Sequence, residues 1–134
     1  MKSKIKTVTD AFKSLKMDPK NLPEVSKLPS RHKKAITAGY KLFIVAEALN
    51  KEANNGKAWQ PNWSDSNQIK YHAWFQVKAD KKRPSGFGFS NANCAYWRSS
   101  ATVGSRLCFI SSDVAKYAGK QFASLYKDYL LLTK

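Results

Sequence analysis

The chain has 134 residues, room for one domain with a modest core and too few for two ordinary ones. Apolar residues make up 43% and aromatics 13%, which excludes a disordered basic tail, while 24 Lys and Arg against nine Asp and Glu leave a net charge of +15. That much like charge costs self-repulsion that a polyanion would relieve, so nucleic acid leads the expected partners. No apolar run approaches the roughly 18 residues a bilayer span needs, so no membrane partner is expected. The first residues, MKSKIKTVTDAFKSLK, lack the apolar stretch of a secretory signal. Cys94 and Cys108 are too few for a disulfide framework, which points to an intracellular chain.

Residues 1–6 are basic and expected to fray. Thr7 or Thr9 can cap a short helix to about Met17, with Phe12 and Leu15 on one face, and Asp18-Pro19 stops it. Residues 18–29 read as a Pro-punctuated linker. Ser30 is expected to cap a second helix to about Asn50. Ile36, Tyr40 and Phe43 share a stripe there, widened by Leu42, Val45 and Leu49, so the helix should be mostly buried. Its first turn carries cations that oppose the helix macrodipole. Arg31, Lys33 and Lys34 there form a candidate secondary phosphate site, equally readable as a solvated basic turn.

Asn54-Asn55-Gly56 ends that helix, and the texture then changes. Residues 59–68, pinned by Trp59 and Trp63, read as a polar lid over a sheet edge. Tyr71, Phe75 and Val77 alternate with polar residues as in a half-buried strand. A second strand runs from Gly86 through Trp97, after the basic turn 80–86, and a third covers residues 105–111. A second hairpin symmetric about residue 101 would set Cys94 opposite Cys108. Ser112 is expected to cap a long last helix with Ala118, Phe122, Leu125 and Tyr129 on its apolar stripe. The order α-α-β-β-β-α defines a single α+β domain, 1–134, in which a three-stranded antiparallel sheet, extendable to four strands, packs on two or three helices. The second and last helices are the expected cover.

Signatures of catalysis are missing: there is no phosphate-binding G-x-x-x-x-G-K-[ST], no H-E-x-x-H and no G-x-S-x-G. His32 and His72 lie forty residues apart, and the acids scatter. No enzyme activity, catalytic residue, metal or small-molecule cofactor is expected. The richer constellation is a mixture of rings and cations in the middle third, where the only acid between Ser66 and Ser112 is Asp80. Single-stranded nucleic acid needs both, rings to stack bases and cations to follow phosphates, whereas duplex binding needs charge without exposed rings. Lys70, Lys78, Lys81, Lys82, Arg83, Arg98 and Arg106 are the expected phosphate contacts, and Trp74, Tyr96 and Trp97 the expected stacking rings. Neighbours on a strand point to opposite faces, so Trp74-Phe75 and Tyr96-Trp97 each send one ring away from the helices. The competing readings are a core that absorbs most of these rings and a protein–protein interface.

The strings W-Q-P-N-W-S-D-S-N-Q-x-K-Y-x-x-W-F at 59–75, S-G-F-G-F-S at 85–90 and V-G-S-R-L-C-F at 103–109, with the tail from Tyr117 to Asp128, resemble a family of small proteins from bacteriophages of gut Bacteroidetes, crAss-like phages included. The resemblance implies a phage-encoded protein of the host cytoplasm or of the virion, acting in DNA transactions or in the particle, and it supplies no catalytic residues. The expectation is therefore a phage protein that binds single-stranded DNA without strong sequence preference. The alternative is a head or tail component that uses the aromatics as interfaces between like subunits or with other virion proteins.

Overall fold

Thr7 Oγ1 accepts from the backbone N–H of Asp10 at 3.1 Å while Asp10 Oδ2 accepts from the N–H groups of Thr7 and Lys6, and this reciprocal capping box starts α1 (Val8–Ser14). These hydrogen bonds, that from the Lys6 N–H first, hold the Asp10 carboxyl below its ordinary value. The computed structural model describes residues 1–79, Lys82 and residues 87–132; the expected contacts Lys81 and Arg83, with the rest of the turn 80–86, lie outside the described residues. After α1 come α2 (Ser30–Ala53), β1 (Lys70–Ala79), β2 (Phe87–Trp97), a 3-10 turn at Ser105–Leu107, α3 (Ser112–Gln121) and α4 (Ala123–Leu130). The α+β class holds, with the long last helix divided where Phe122 leaves helical geometry (φ −113°, ψ 29°).

Both early helices end in the same way. Lys16 (φ 57°) follows α1 in the left-handed region, with Met17 N–H donating to Phe12 O and Lys16 N–H to Lys13 O, and Asn55 (φ 58°) does the same after α2, where Gly56 N–H reaches Lys51 O. Ser30 makes no side-chain cap; Pro29 occupies that position and its carbonyl accepts from His32 and Lys33. Ser111, one residue before the expected Ser112, caps α3 by accepting from Val114 N–H at 3.3 Å.

Residues 3–6 do not fray. Ser3 and Ile5 are buried, Glu52 of α2 accepts from Ser3 Oγ and from Lys4 N–H, and Tyr117 Oη and Gln121 Nε2 of α3 donate to the carbonyls of Ile5 and Lys6. Burying Ile5 favours order here, and the charges of residues 1–6 remain at the surface.

β1 and β2 pair antiparallel from Lys70↔Trp97 to Ala79↔Phe87, with one extra residue in β2 at the step from Trp74↔Asn93 to Phe75↔Asn91. The third strand is shorter than its sequence pattern suggests. Phe109 alone joins the sheet, exchanging both hydrogen bonds with Tyr71, at 2.7 and 3.2 Å. It adds to the free edge of β1, so β1 is central and the expected pairing of Cys94 with Cys108 does not form; Cys94 faces Ala73. The next edge is closed by a side chain. Buried Asn50 of α2 donates to Cys108 O at 2.9 Å and accepts from Ile110 N–H at 3.0 Å, the groups a fourth strand would have used.

The last helix covers the sheet as expected, in its two segments, but the second does not. α3 lies against both strands and α4 against β2, while α2 forms the layer behind them, packed on α1, α3 and α4. Phe12, Leu42, Leu49, Phe109, Ala115 and Ala118 are the centre of one continuous core. The inner face of the ribbon enters it through Tyr71, Ala73 and Phe75, the last ring stacked on Phe89 at 4.5 Å and tilted against Tyr126 at 4.8 Å. No helix among the described residues is long and apolar enough to cross a membrane.

Candidate nucleic-acid interface

Strand parity decides which rings face outward. Tyr71, Ala73 and Phe75 point to the helices, so Lys70, His72, Trp74, Gln76 and Lys78 occupy the outer face. Pairing carries that parity to β2, where Trp97, opposite Lys70, is also outward. Trp74 is 50% exposed and Trp97 40%, with Trp97 Nε1 donating to Thr102 Oγ1 at 3.2 Å. Two of the three expected stacking rings therefore share one open face. Tyr96 does not; it is opposite Tyr71 on the helix side, ring centroids 6.1 Å apart, and is 56% exposed beyond the cover of the helices.

Beyond Phe75 the ribbon leaves the core. Gln76, Val77, Lys78 and Ala79 are exposed in succession, so both faces of this end of β1 meet solvent. Lys78 is there on the outer face and Lys82 is exposed in the turn. Arg98, one residue past Trp97, is exposed and donates to Ser66 O at 3.2 Å.

Lys70 is a correction. It is only 1% exposed, and its ammonium donates to the carbonyls of Asp65 (2.8 Å) and Arg98 (2.6 Å) while lying 5.4 Å from the Trp63 ring. Burying an ammonium is tolerable because these oxygens replace its water, and the result is a peg that fastens the 63–66 loop to the end of the ribbon. It cannot touch a phosphate in this state. The loop's polar side chains serve the loop itself, Asn62 Oδ1 accepting from Ser64 N–H and Asp65 Oδ1 from Asn67 N–H, while Trp63 Nε1 ties it to the 3-10 turn by donating to Ser105 Oγ at 2.8 Å.

Arg106 is a second correction. It sits in the 3-10 turn with its guanidinium 5.6 Å from the Phe43 ring of α2, lining a cleft of about 720 Å³ away from the outer face of the ribbon. The Arg31, Lys33, Lys34 group is separate again, at the start of α2, where no acid stands in the first turn and Lys34 Nζ lies 3.5 Å from Asp128 Oδ1 of α4. Exposed lysines also occur on α1, α3 and the 16–27 segment, so positive charge surrounds the molecule and is not gathered on the ribbon. Several of the acids cap backbone N–H groups: Asp10 at α1, Asp18 on Lys20, Glu24 on Ser26 and Asp65 on Asn67.

His72 stands midway between the two outward indoles, opposite Ala95, with Nδ1 3.3 Å from Ala73 O and Nε2 buried and without a partner among the described residues. Cys108 is buried, and burial pushes its thiol up to about 11 from an ordinary 9.0. Among the described residues no three His, Cys, Asp or Glu side chains come together as a metal site.

Fold and surface together define an α+β protein that carries a two-stranded antiparallel ribbon with outward indoles, one side of which no helix covers. No family model, curated protein or solved structure matches the chain.

Proposed function

We propose that this protein binds single-stranded nucleic acid, DNA in the first instance, across the outer face of the β1–β2 ribbon. The observation that carries the reading is the shared face of Trp74 and Trp97, two half-exposed indoles on adjacent strands. Stacking on such rings is worth about 1–3 kcal/mol per base and is indifferent to sequence. Lys78 and Arg98 flank the indoles, and the net charge of +15 adds a long-range attraction that does not depend on where each lysine sits. A phage origin belongs to the same reading and rests on the strings at 59–75, 85–90 and 103–109.

Titration of the intrinsic tryptophan fluorescence with single-stranded and duplex oligonucleotides at two salt concentrations tests it. The single strand should quench more strongly and bind tighter, with log K falling by about 0.7 per phosphate contact for each unit of log[salt]. Equal quenching and equal affinity for duplex would remove the stacking claim.

One observation favours a second reading, a subunit interface in a phage particle. Val77, 50% exposed where the ribbon leaves the helices, and Tyr96, 56% exposed at its other end beside Tyr71, lie on the inner face, so apolar surface is open on both sides. Sedimentation would then show concentration-dependent association without nucleic acid, and purified particles would contain the protein in stoichiometric amounts.

A further inference from the structure

The cleft that Arg106 lines shares no residue with the ribbon face. Its volume of about 720 Å³ falls within the range of small-molecule pockets. Phe43 and Tyr129 form an edge-to-face pair in its wall, ring centroids 6.3 Å apart, and Trp59 lines it from the loop that follows α2. All three rings are half-buried, so each keeps some surface toward the opening.

The polar groups of the cleft are unequal in what they can offer. Asn50 has its amide committed to Cys108 and Ile110. Arg106 and Glu47 are exposed, and among the described residues neither has an ion-pair or hydrogen-bond partner. The Arg106 guanidinium lies over Phe43, which holds its plane while its N–H groups stay available. Glu47 presents an acceptor-only carboxylate. The ligand that satisfies this set has a flat π-face for the rings, an anionic group for the guanidinium and a hydroxyl or amino donor for the carboxylate.

We propose that the cleft between α2, the 59–61 loop and the 3-10 turn binds a mononucleotide. The base lies against the aromatic wall, Arg106 takes the phosphate, and Glu47 accepts from a sugar hydroxyl or an exocyclic amine. This site goes beyond strand binding by the ribbon and stands whether or not that reading survives.

Adenosine 5′-monophosphate, adenosine and inorganic phosphate are the probes, and the readout is the indole N–H resonance of each tryptophan in the 15N-labelled full chain. The monophosphate should shift the Trp59 resonance saturably, adenosine more weakly, and phosphate alone not at all. Trp59→Leu and Arg106→Gln should each weaken monophosphate binding about tenfold, the Arg106 change followed through the Trp59 signal and the Trp59 change by calorimetry. Trp74→Ala should leave it unchanged. The proposal is overturned if millimolar monophosphate shifts no indole, if it shifts Trp74 or Trp97 in place of Trp59, or if folded Arg106→Gln protein binds it as well as wild type.

Discussion

Trp74 and Trp97 lie on one face of the ribbon although they belong to different strands, about 13 Å apart along it, because the pairing of Lys70 with Trp97 sets the parity for both. A single strand laid along that face meets both indoles, whereas a duplex offers them no unstacked base. Trp74→Ala or Trp97→Ala is expected to weaken single-strand binding about tenfold, the worth of one stacked base, and to leave duplex binding nearly unchanged. Fluorescence anisotropy with labelled oligonucleotides measures both, and equal losses on the two ligands would place the rings outside the site.

Lys70 and Lys78 share the outer face of β1 and have opposite jobs. Lys70→Met removes a buried ammonium and leaves two partly buried carbonyls without their donor, which should cost about 2–3 kcal/mol in urea unfolding. The folded fraction should bind nucleic acid as wild type does. Lys78→Met should leave stability within about 0.5 kcal/mol, as for most surface changes, and lower the salt slope of single-strand binding by about 0.7. A binding defect in folded Lys70→Met protein would restore Lys70 to the site.

Gly39 has no room for a side chain: a Cβ there would stand 2.6 Å from Tyr129 Cδ1 and Cε1. Gly39→Ala is therefore expected to destabilise by about 1–3 kcal/mol through overpacking between α2 and α4. Trimming the ring should relieve it, so the double change with Tyr129→Leu should cost less than the two single changes summed. Additive losses would show that Tyr129 is not the obstacle.

Lys16 occupies the left-handed position after α1 that glycine usually takes. Lys16→Gly should raise stability by about 0.5–1 kcal/mol, the strain relieved exceeding the extra entropy of the unfolded chain. A chemical-denaturation midpoint that falls would mean that the Lys16 stem contributes packing.

The buried thiol of Cys108 makes stability sensitive to alkali. Its value is raised to about 11 in the folded chain by burial, against 9.0 when free, so the unfolded chain loses its proton first as pH rises. The stabilisation is full below pH 9.0 and declines toward about 11. Burial raises the Tyr126 hydroxyl too, which acts in the same direction. Wild type should therefore lose stability faster than Cys108→Ala over that interval, since the variant keeps Tyr126 but lacks the thiol. Parallel curves would show that Cys108 ionises normally.

Strand identity and ring parity were readable in advance because a period of two needs only local order. Trp74 and Phe75 had to point opposite ways, as did Tyr96 and Trp97. Which member of each pair faced the helices was not readable, and Tyr96, named beside Trp97 as a stacking ring, lies on the helix side of the ribbon. The third strand was overextended for a related reason: residues 105–111 alternate well enough, yet Asn50, more than fifty residues away in sequence, takes the hydrogen bonds on one side of Phe109. Lys70 and Arg106 look like surface cations by type, and only carbonyls and a ring from distant segments put one in the interior and the other in a cleft. The mononucleotide cleft left no trace in the sequence, since Phe43, Glu47, Trp59 and Arg106 come from three separate stretches.

By itself the sequence determined the α+β class, the two leading helices, the β1–β2 hairpin and the excess of positive charge, because these follow from composition and from side-chain periods of 2 and 3.6. Tertiary structure alone decided that β1 is central, that α2 lies behind the sheet's cover, that residues 3–6 are tied down, and that the cations divide among a buried peg, a cleft and an open face. Those outcomes depend on which distant groups supply hydrogen bonds when water is removed, and no local pattern encodes that choice.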